Sequence, residues 1–366
     1  MSDASLRSVA DPAVPHSDAP VIASTATAVP QHAITREIVE ARIGPVFSLS
    51  GRRLEAVLEI IANSRIDRRY SIFPVEYFVE PRPLEQISRE YRDHSVCLGR
   101  RAARQALDRA GIEPREVDLI VTVSCTGFMI PSLDAYLAPE MGLRPDVRRL
   151  PVTELGCAAG AAGLALARDY VRANPGSTAL LVAVELPTLT FQRRDLSQAN
   201  LVSAVLFGDG AAAAVVTGQP RRGPRILDSE SFLFPDSLGA MGFDLRDSGF
   251  HIVLSKEVPR MIRERIGGLV DAFLARHSLA RHDLQAYILH PGGQKLLSFI
   301  EQELGLSPEL TQPSWDVLRD FGNLSSASVL FVLHQWLERG LGPGARGLLA
   351  GFGPGFSAEM LLLQWN

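Results

Sequence analysis

Two stretches decide the fold: residues 155–171 read LGCAAGAAGLALARDYV, and residues 321–337 read FGNLSSASVLFVLHQWL. Each places a glycine before a chemically distinctive residue, Cys157 in the first and Asn323 in the second, and continues into small and apolar residues. Glycine permits a tight strand-to-helix turn, and apolar residues at helical spacing indicate a packed helix. The two stretches therefore predict two helices that begin in the same way.

The segments around these helices correspond as well. Each half contains an apolar strand, a short turn, a helix start and a closing strand, with the strands at 119–124 and 179–185 in the first half and at 286–289 and 347–352 in the second. Cys157 follows Cys125 by 32 residues, and Asn323 follows His290 by 33. This internal repeat predicts two similar lobes around a pseudo-twofold axis. The alternative is two unrelated α/β lobes.

The repeat also predicts the domain boundaries. Residues 21–222 form an N-terminal lobe with Cys157, and residues 223–366 form a C-terminal lobe with His290 and Asn323. Residues 1–20 are rich in Ser, Ala, Asp and Pro without periodicity, which predicts a mobile tail. Because the three side chains occupy equivalent element ends, we expect them to converge between the lobes.

Composition excludes several classes of protein. The 366 residues are 46% hydrophobic and 21% charged with a net charge of -4, which is typical of a globular protein and unlike a nucleic-acid binder. No apolar run reaches the roughly 18 residues of a membrane span, and the N-terminus lacks a secretory layout, so we expect a cytoplasmic protein. The three cysteines, Cys97, Cys125 and Cys157, lack CxxC spacing, which predicts neither disulfides nor a metal site.

Cys157 is the candidate nucleophile. A helix N-terminus offers unpaired N–H groups and partial positive charge, which predicts a lowered thiol pKa, and a nearby imidazole would strengthen that effect. His290 lies between an apolar strand and Gly292-Gly293, where its side chain can leave the strand end. The alternatives are a buried structural cysteine, a core histidine and, for Asn323, a helix N-cap.

Together the three residues suit thioester chemistry. Imidazole and carboxamide N–H groups can both donate to a thioester oxygen and stabilise the enolate that forms on loss of carbon dioxide. Asn323 cannot act as a general base, so a simple hydrolase would need a carboxylate in its place. This chemistry requires neither a metal nor a cofactor.

Six short motifs now carry a resemblance to a known family. They are VSCTG (123–127), LGCAAG (155–160), LFGDGA (206–211), HPGG (290–293), GNLSS (322–326) and GFGPG (351–355). In combination, from about residue 20 to the C-terminus, the chain closely resembles type III polyketide synthases, the chalcone synthase-like branch of the thiolase fold.

The resemblance implies a homodimeric, five-layered αβαβα enzyme built from two duplicated lobes. Such enzymes load an acyl-CoA starter on the cysteine, here Cys157, and condense it repeatedly with malonyl-CoA before cyclisation releases a pyrone or a resorcinol-like phenol. Ile252 in place of an aromatic residue, together with similarity to microbial members, favours an aliphatic starter and the alkylpyrone or alkylresorcinol branch.

The resemblance also implies a substrate cavity. Phe207 takes the position between the coenzyme A tunnel and the cavity, and Ile252 replaces the second gatekeeping phenylalanine of plant members. The other cavity positions map to Cys125, Thr126, Pro187, Thr190, Phe243 and Ser325. This mixture differs from the plant pattern, so the starter stays open.

Coenzyme A binding departs from the plant pattern too. The basic positions of the plant enzymes fall here on Ala56, Glu59 and Asn63, which cannot bind phosphate in the same way. We expect Arg65, Arg68 and Arg69 to bind the nucleotide phosphates instead, because guanidinium groups pair with phosphate bidentately. The alternative is a solvated charged face.

Two other functions fit part of this pattern. A ketoacyl synthase of the fatty-acid initiation type also uses Cys, His and Asn, but usually carries His-Gln-Ala-Asn where this chain has His-Pro-Gly-Gly at 290–293. A non-catalytic acyl-CoA-binding protein could keep the fold without the reaction.

Overall fold

The computed structural model describes residues 18–80 and 82–366, with thirteen strands and ten α-helices in that part of the chain. The strands are β1 (Val21–Ala28), β2 (His32–Thr35), β3 (Arg68–Ser71), β4 (Leu119–Val123), β5 (Arg148–Val152), β6 (Thr178–Glu185), β7 (Gly210–Thr217), β8 (Pro224–Leu233), β9 (Met241–Arg246), β10 (Gly249–Leu254), β11 (Ala286–Leu289), β12 (Arg346–Gly353) and β13 (Ser357–Trp365). The helices are α1 (Arg36–Phe47), α2 (Gly51–Asn63), α3 (Leu84–Ala110), α4 (Leu133–Met141), α5 (Ala159–Ala173), α6 (Gln198–Leu206), α7 (Val258–Ala275), α8 (Gln294–Leu304), α9 (Pro308–Phe321) and α10 (Ser328–Arg339).

Nine strands form one mixed sheet in the order β11-β12-β13-β8-β1-β7-β6-β4-β5. In one half β4 and β6 are parallel, and β7 and β1 follow antiparallel. In the other half β11 and β12 are parallel, and β13 and β8 follow antiparallel. The halves join where Val21 pairs with Arg225. The strand order thus repeats, with β5 added to one half, and the predicted duplication is confirmed.

Strand β6 explains how the sequence builds layers. Its alternate side chains enter two different cores: Ala179, Leu181 and Ala183 pack with α5, whereas Leu180, Val182 and Val184 pack with α3 and α4. A strand buried on both faces needs apolar residues at every position. Strand β13 is also buried on both faces, and its outer face packs against α7 and α8. Helices α5 and α10 share the central core, which gives the predicted five layers.

The two central helices begin alike. A 3-10 turn at Gly156–Ala158 leads into α5, and a 3-10 turn at Ser325–Ala327 leads into α10. A Cβ atom added at Gly160 would lie 2.2 Å from the carbonyl oxygen of Ser326, so only glycine allows this approach. The two helix starts therefore meet in the middle of the molecule.

The sequence predicts a start of the fold at residue 21 and a boundary between the lobes at residues 222 and 223. The structure differs from the first prediction. Ala19 and Pro20 are buried, and the Pro20 carbonyl accepts a hydrogen bond from the Ile226 amide at 2.8 Å, so the fold begins before Val21. Residues 1–17 of the predicted tail lie outside the described residues. The boundary between residues 222 and 223 falls in the connection from β7 to β8 and stays a prediction.

Candidate active site

Cys157 is the middle residue of the 3-10 turn before α5, and it is only 8% exposed. Gly156 precedes it with φ at +50°, and a Cβ atom there would lie 2.4 Å from Cδ of Pro354. Both the backbone conformation and the close contact require glycine. The Cys157 Sγ lies 3.5 Å from Oγ of Ser325, which belongs to the opposite lobe. The thiol therefore faces the junction between the two helix starts.

Asn323 is buried and has a fixed orientation. Its Oδ1 accepts hydrogen bonds from the Ser325 amide at 2.7 Å and from the Ser328 hydroxyl at 3.3 Å. The local capping role therefore occupies the carboxamide oxygen, and the side chain also acts to lower the pKa of the Cys157 thiol. Because the oxygen is taken, the NH2 end is the one that is turned toward the thiol.

His290 follows β11 directly and is buried. Its backbone amide donates to the Ala350 carbonyl at 2.9 Å, and a Cβ atom at the next residue, Gly351, would lie 3.4 Å from the Cys157 carbonyl oxygen. Strand β12 thus lies between the backbones of His290 and Cys157. Burial lowers the pKa of the imidazole to about 3, and among the described residues its Nδ1 has no hydrogen-bond partner. The ring is therefore neutral.

The ionisation of Cys157 differs from the sequence prediction. Burial raises the pKa of its thiol to about 12; the interactions with Ser325 and Asn323 lower it, and the carboxylate of Glu185 raises it further. The predicted lowering at the helix N-terminus is wrong, because desolvation of a thiolate outweighs the local turn and the neutral His290 supplies no positive charge. The thiol is therefore protonated in the folded protein, and it needs a proton acceptor in order to react as a nucleophile.

Sequence reasoning missed Glu185, the last residue of β6. This fully buried carboxylate accepts hydrogen bonds at Oε2 from the Cys125 amide at 3.1 Å and from the Thr126 hydroxyl at 2.7 Å, and at Oε1 from the Ser326 hydroxyl. Burial raises the pKa of Glu185. It thereby ties a turn of one lobe to the helix start of the other. A single acid that ends an otherwise apolar strand was the available signal.

Two predicted cavity residues also lie at the thiol. Ser325 adopts a left-handed conformation with φ at +48°, and its Oγ is 3.4 Å from the Cys125 sulfur as well as close to Cys157. We call Cys157, His290, Asn323, Ser325 and Cys125 the thiol site. It draws its side chains from both lobes.

Phe207 lies at the border of the thiol site. Its backbone pairs with that of Asn323 in an isolated parallel bridge, in which the Asn323 amide donates to Leu206 at 2.9 Å and the Gly208 amide donates to Asn323 at 3.1 Å. On its other side, Phe207 lines a large cavity. This arrangement puts one aromatic residue between the two spaces.

That cavity encloses about 680 Å³ of empty space, including its open mouth, and we call it the apolar cavity. Its walls come from α1, the 3-10 turn Val75–Val79, α6 and residues 187–191, with Ile38, Val39, Ile43, Val46, Phe78 and Phe191 among the lining side chains. Of the predicted cavity residues, Pro187 and Phe207 line it, while Cys157 does not.

The remaining predicted cavity residues lie nearby but do not line this space. Ile252 and Phe243 are cross-strand partners in the hairpin β9–β10, and both are half-buried. Thr190 is buried and donates to the Pro187 carbonyl at 2.8 Å. Thr126 is held by Glu185, as described above.

The three predicted phosphate-binding arginines separate into two groups. Arg65 and Arg68 are exposed, with Arg65 stacked 4.6 Å above the Trp315 ring. Arg69 is buried and donates to the Val205 carbonyl; burial lowers its pKa to about 10, and the neighbouring Asp209 opposes that shift. Its guanidinium lines the apolar cavity rather than the surface. Alternation along β3 explains the difference, since Arg68 points outward and Arg69 inward.

Other predicted features concern metals, membranes and location. Across residues 18–80 and 82–366, no group of three or more His, Cys, Asp or Glu side chains could hold a metal ion. None of the helices in this part of the chain is long and apolar enough to cross a membrane. A cytoplasmic location and the absence of a cofactor stay predictions.

Comparisons with known proteins agree with this geometry. Residues 83–220 match the family described as chalcone and stilbene synthases, N-terminal domain, and residues 226–365 match its C-terminal domain. The chain is 39% identical over 350 residues to a 1,3,6,8-tetrahydroxynaphthalene synthase of Streptomyces peucetius, which covers 94% of this chain and 93% of that protein. An α-pyrone synthesis polyketide synthase-like protein of Mycobacterium tuberculosis is 30% identical over 96% of this chain and 93% of its own.

Solved structures give the same result. The crystal structure of the 1,3,6,8-tetrahydroxynaphthalene synthase of Streptomyces coelicolor, a bacterial type III polyketide synthase, matches with a TM-score of 0.91 at 35% identity. It covers 94% of this chain and 99% of the other. The chain therefore belongs to the chalcone and stilbene synthase family and is a type III polyketide synthase, an acyltransferase that condenses malonyl-CoA units iteratively and cyclises the product.

Proposed function

We propose that Cys157 is the nucleophile of this polyketide synthase, with His290 and Asn323 as its partners. The orientation of Asn323 carries the proposal. Its oxygen is occupied by Ser325 and Ser328, so its NH2 group is the end available to a thioester oxygen beside the thiol. A buried carboxamide held in this way can stabilise negative charge without reorganising during the reaction.

In the loading step, neutral His290 accepts the proton of the Cys157 thiol as the sulfur attacks the carbonyl carbon of an acyl-CoA. A new thioester forms on Cys157, and coenzyme A leaves as its thiolate and takes up a proton. The low pKa of His290 keeps the imidazole free to accept that proton at neutral pH. Proton transfer and attack are coupled because an isolated thiolate is costly in this buried site.

In the extension step, malonyl-CoA loses carbon dioxide and leaves an enolate of acetyl-CoA. The N–H groups of His290 and Asn323 donate to the enolate oxygen and stabilise its charge. The enolate carbon then attacks the acyl thioester, a carbon-carbon bond forms, and the Cys157 sulfur leaves. Return of the extended chain to Cys157 with loss of coenzyme A allows the next cycle.

The apolar cavity favours an aliphatic acyl-CoA starter. Its walls are mostly aliphatic and aromatic, its polar side chains include Arg42 and Arg69, and Phe207 borders both this space and Asn323. An acyl chain would bury apolar surface there at about 25 cal/mol per Å². We propose a pyrone or a resorcinol-like product, in keeping with relatives named for an α-pyrone and for a polyhydroxylated aromatic.

We also propose that the enzyme is a homodimer. Phe128 is 63% exposed and Ile130 is 81% exposed in the turn after β4, the same turn that carries Cys125 and Thr126. Exposed apolar side chains on one short loop favour burial against another surface. A second copy of the chain is the occupant that the family implies.

The experiment is incubation of the protein with malonyl-CoA and a series of acyl-CoAs, with products identified by mass spectrometry. Cys157→Ala should abolish condensation, whereas Cys97→Ser, a change at an exposed cysteine, should leave it intact. A requirement for an acyl carrier protein would favour the ketoacyl synthase alternative. Tight acyl-CoA binding without turnover, unchanged in Cys157→Ala, would favour a non-catalytic binding protein.

A further inference from the structure

A surface segment, residues 191–200, connects the separate walls of the apolar cavity. At its start, Phe191 lies in the cavity wall with its ring centroid 5.1 Å from that of Phe47 and 5.8 Å from that of Phe78. Gln192 and Arg193 then bond to main-chain carbonyls of the surrounding elements, and Asn200 at the end of the segment lines the cavity again. We call residues 191–200 the clasp.

Arg193 makes the central contacts of the clasp. Its Nε donates to the Val46 carbonyl at 2.8 Å, and its NH1 group donates to the Val79 carbonyl. Val46 lies in the last turn of α1, and Val79 ends the 3-10 turn Val75–Val79. One side chain thus joins two walls of the cavity that are far apart in the sequence.

Both carbonyls are places where a cation stabilises the structure. The last carbonyls of a helix have no intrahelical partner and carry partial negative charge. Helix α1 has no basic residue in its last turn, and the Ser48 amide that caps it bonds to Gly44 and Pro45. The Val46 carbonyl is thus left for Arg193. A planar guanidinium can reach both carbonyls at once, which an ammonium group cannot do with the same geometry.

The rest of the clasp is anchored on both sides. Gln192 donates through Nε2 to the carbonyls of Ser248 at 3.1 Å and Phe250 at 3.2 Å in the hairpin β9–β10. Asn200, buried in α6, donates through Nδ2 to the Gln192 carbonyl at 2.8 Å and to the Asp195 carbonyl at 2.7 Å. Arg193 is therefore held between fixed neighbours rather than on a free loop.

We propose that Arg193 is a positioning residue that sets the width of the apolar cavity and so the range of starter chain lengths. It holds the end of α1 against the Val75–Val79 turn, and these two elements carry Val46, Val75 and Phe78 of the cavity wall. In the proposed binding mode a long acyl chain would contact that wall, whereas an acetyl group would not extend to it. This inference rests on the proposed aliphatic starter.

The test compares wild type, Arg193→Ala, Arg193→Lys and Arg194→Ala with acyl-CoAs from two to twelve carbons. Arg194 is the adjacent arginine and is exposed, so it is the matched control. In Arg193→Ala, KM for the longest accepted starters should change about tenfold while kcat and KM for acetyl-CoA stay unchanged. Arg193→Lys, which keeps the charge, should recover part of the difference, and Arg194→Ala should behave as wild type.

A wild-type chain-length profile in a folded Arg193→Ala variant would overturn the inference. Hydrogen-deuterium exchange of residues 75–80 and 44–48 is an independent measurement, and faster exchange in Arg193→Ala but not in Arg194→Ala is expected. Equal exchange in both variants would also refute the positioning role. If wild type uses no acyl-CoA, the proposed function fails, but the exchange result still decides whether Arg193 holds the wall.

Discussion

The thiol site and the apolar cavity meet at Phe207, yet they are built in opposite ways. The thiol site takes its side chains from both lobes, and all of them except His290 are held by hydrogen bonds to Glu185, to Ser328 or to each other. Among the described residues, those that line the apolar cavity all lie between Ile34 and Phe207, and its rim is held together by side-chain bonds to backbone carbonyls.

The difference follows from the duplication. Strands β6 and β7 are joined by residues 186–209, which include α6 and the clasp, whereas the equivalent strands β12 and β13 are joined by residues 354–356 alone. The cavity walls therefore come from an insertion in one lobe and from residues 34–78, which lie outside the repeated unit. Substrate range can change there without moving the thiol site, as is common when a rigid scaffold carries variable connections.

The largest expected effect comes from breaking the thiol site while sparing the cavity. His290→Ala removes the proton acceptor and one enolate donor, so condensation should fall by about 10² to 10⁴-fold. Alkylation of Cys157 by iodoacetamide at neutral pH should also slow, because the buried thiol loses its proton acceptor. His282→Ala, at an exposed histidine, is the control. Full condensation activity in His290→Ala would disprove the assigned role.

The next effect tests the contact between the lobes. In Gly160→Ala the new methyl group would meet the Ser326 carbonyl at 2.2 Å, a backbone atom that cannot turn aside. We expect a loss of about 1–3 kcal/mol in the free energy of unfolding, together with loss of condensation. In Gly163→Ala the nearest atom is the Leu181 Cδ1 at 2.6 Å, the end of a side chain that can move. Denaturant unfolding should therefore rank Gly160→Ala below Gly163→Ala in stability; the reverse order would contradict the close packing of Gly160 against the Ser326 carbonyl.

A smaller and more selective effect comes from filling the cavity. Ala204 lines it from α6, so Ala204→Phe should raise KM for long acyl-CoAs about tenfold. Decarboxylation of malonyl-CoA alone should not change, because the thiol site is untouched. Gln198→Phe adds the same ring to an exposed position of the same helix and should have no such effect. An equal rise in KM for short and long acyl-CoAs would show that the apolar cavity and the thiol site are not separate.

This contrast also explains what could be predicted from the sequence. Fold class and the positions of Cys157, His290 and Asn323 at element ends follow from an internal repeat, which is a strong signal in a single sequence. The walls of the cavity leave no such signal, because α1 contains Gly44 and Pro45 and the clasp has no periodicity. Their assembly depends on contacts between distant segments.

The pKa of Cys157 and the burial of Arg69 both differ from the sequence prediction, and the physical causes are of the same kind. The local helix start alone predicts a lowered thiol pKa, but desolvation depends on everything packed around Cys157. The sequence shows Arg65, Arg68 and Arg69 as one charged run, yet strand β3 alternates its side chains and turns Arg69 into the interior. Recognition of β3 as a strand would have separated these arginines.

The smallest expected effect sharpens the border of the thiol site. The Glu185 carboxylate raises the pKa of both Cys157 and Cys125 through its negative charge. Glu185→Gln removes that charge, so the pH midpoint for alkylation of Cys157 should move downward by about one unit or less. The amide still offers one oxygen to the Cys125 and Thr126 donors, so the fold should survive with a reduced melting temperature. Glu301→Gln is the matched control, since Glu301 is a half-buried acid on α8 that accepts hydrogen bonds from Thr311 and from Trp315. An upward shift in Glu185→Gln would mean that the carboxylate acts on the thiol as a proton acceptor, not as a repelling charge, and would extend the set of residues that activate Cys157.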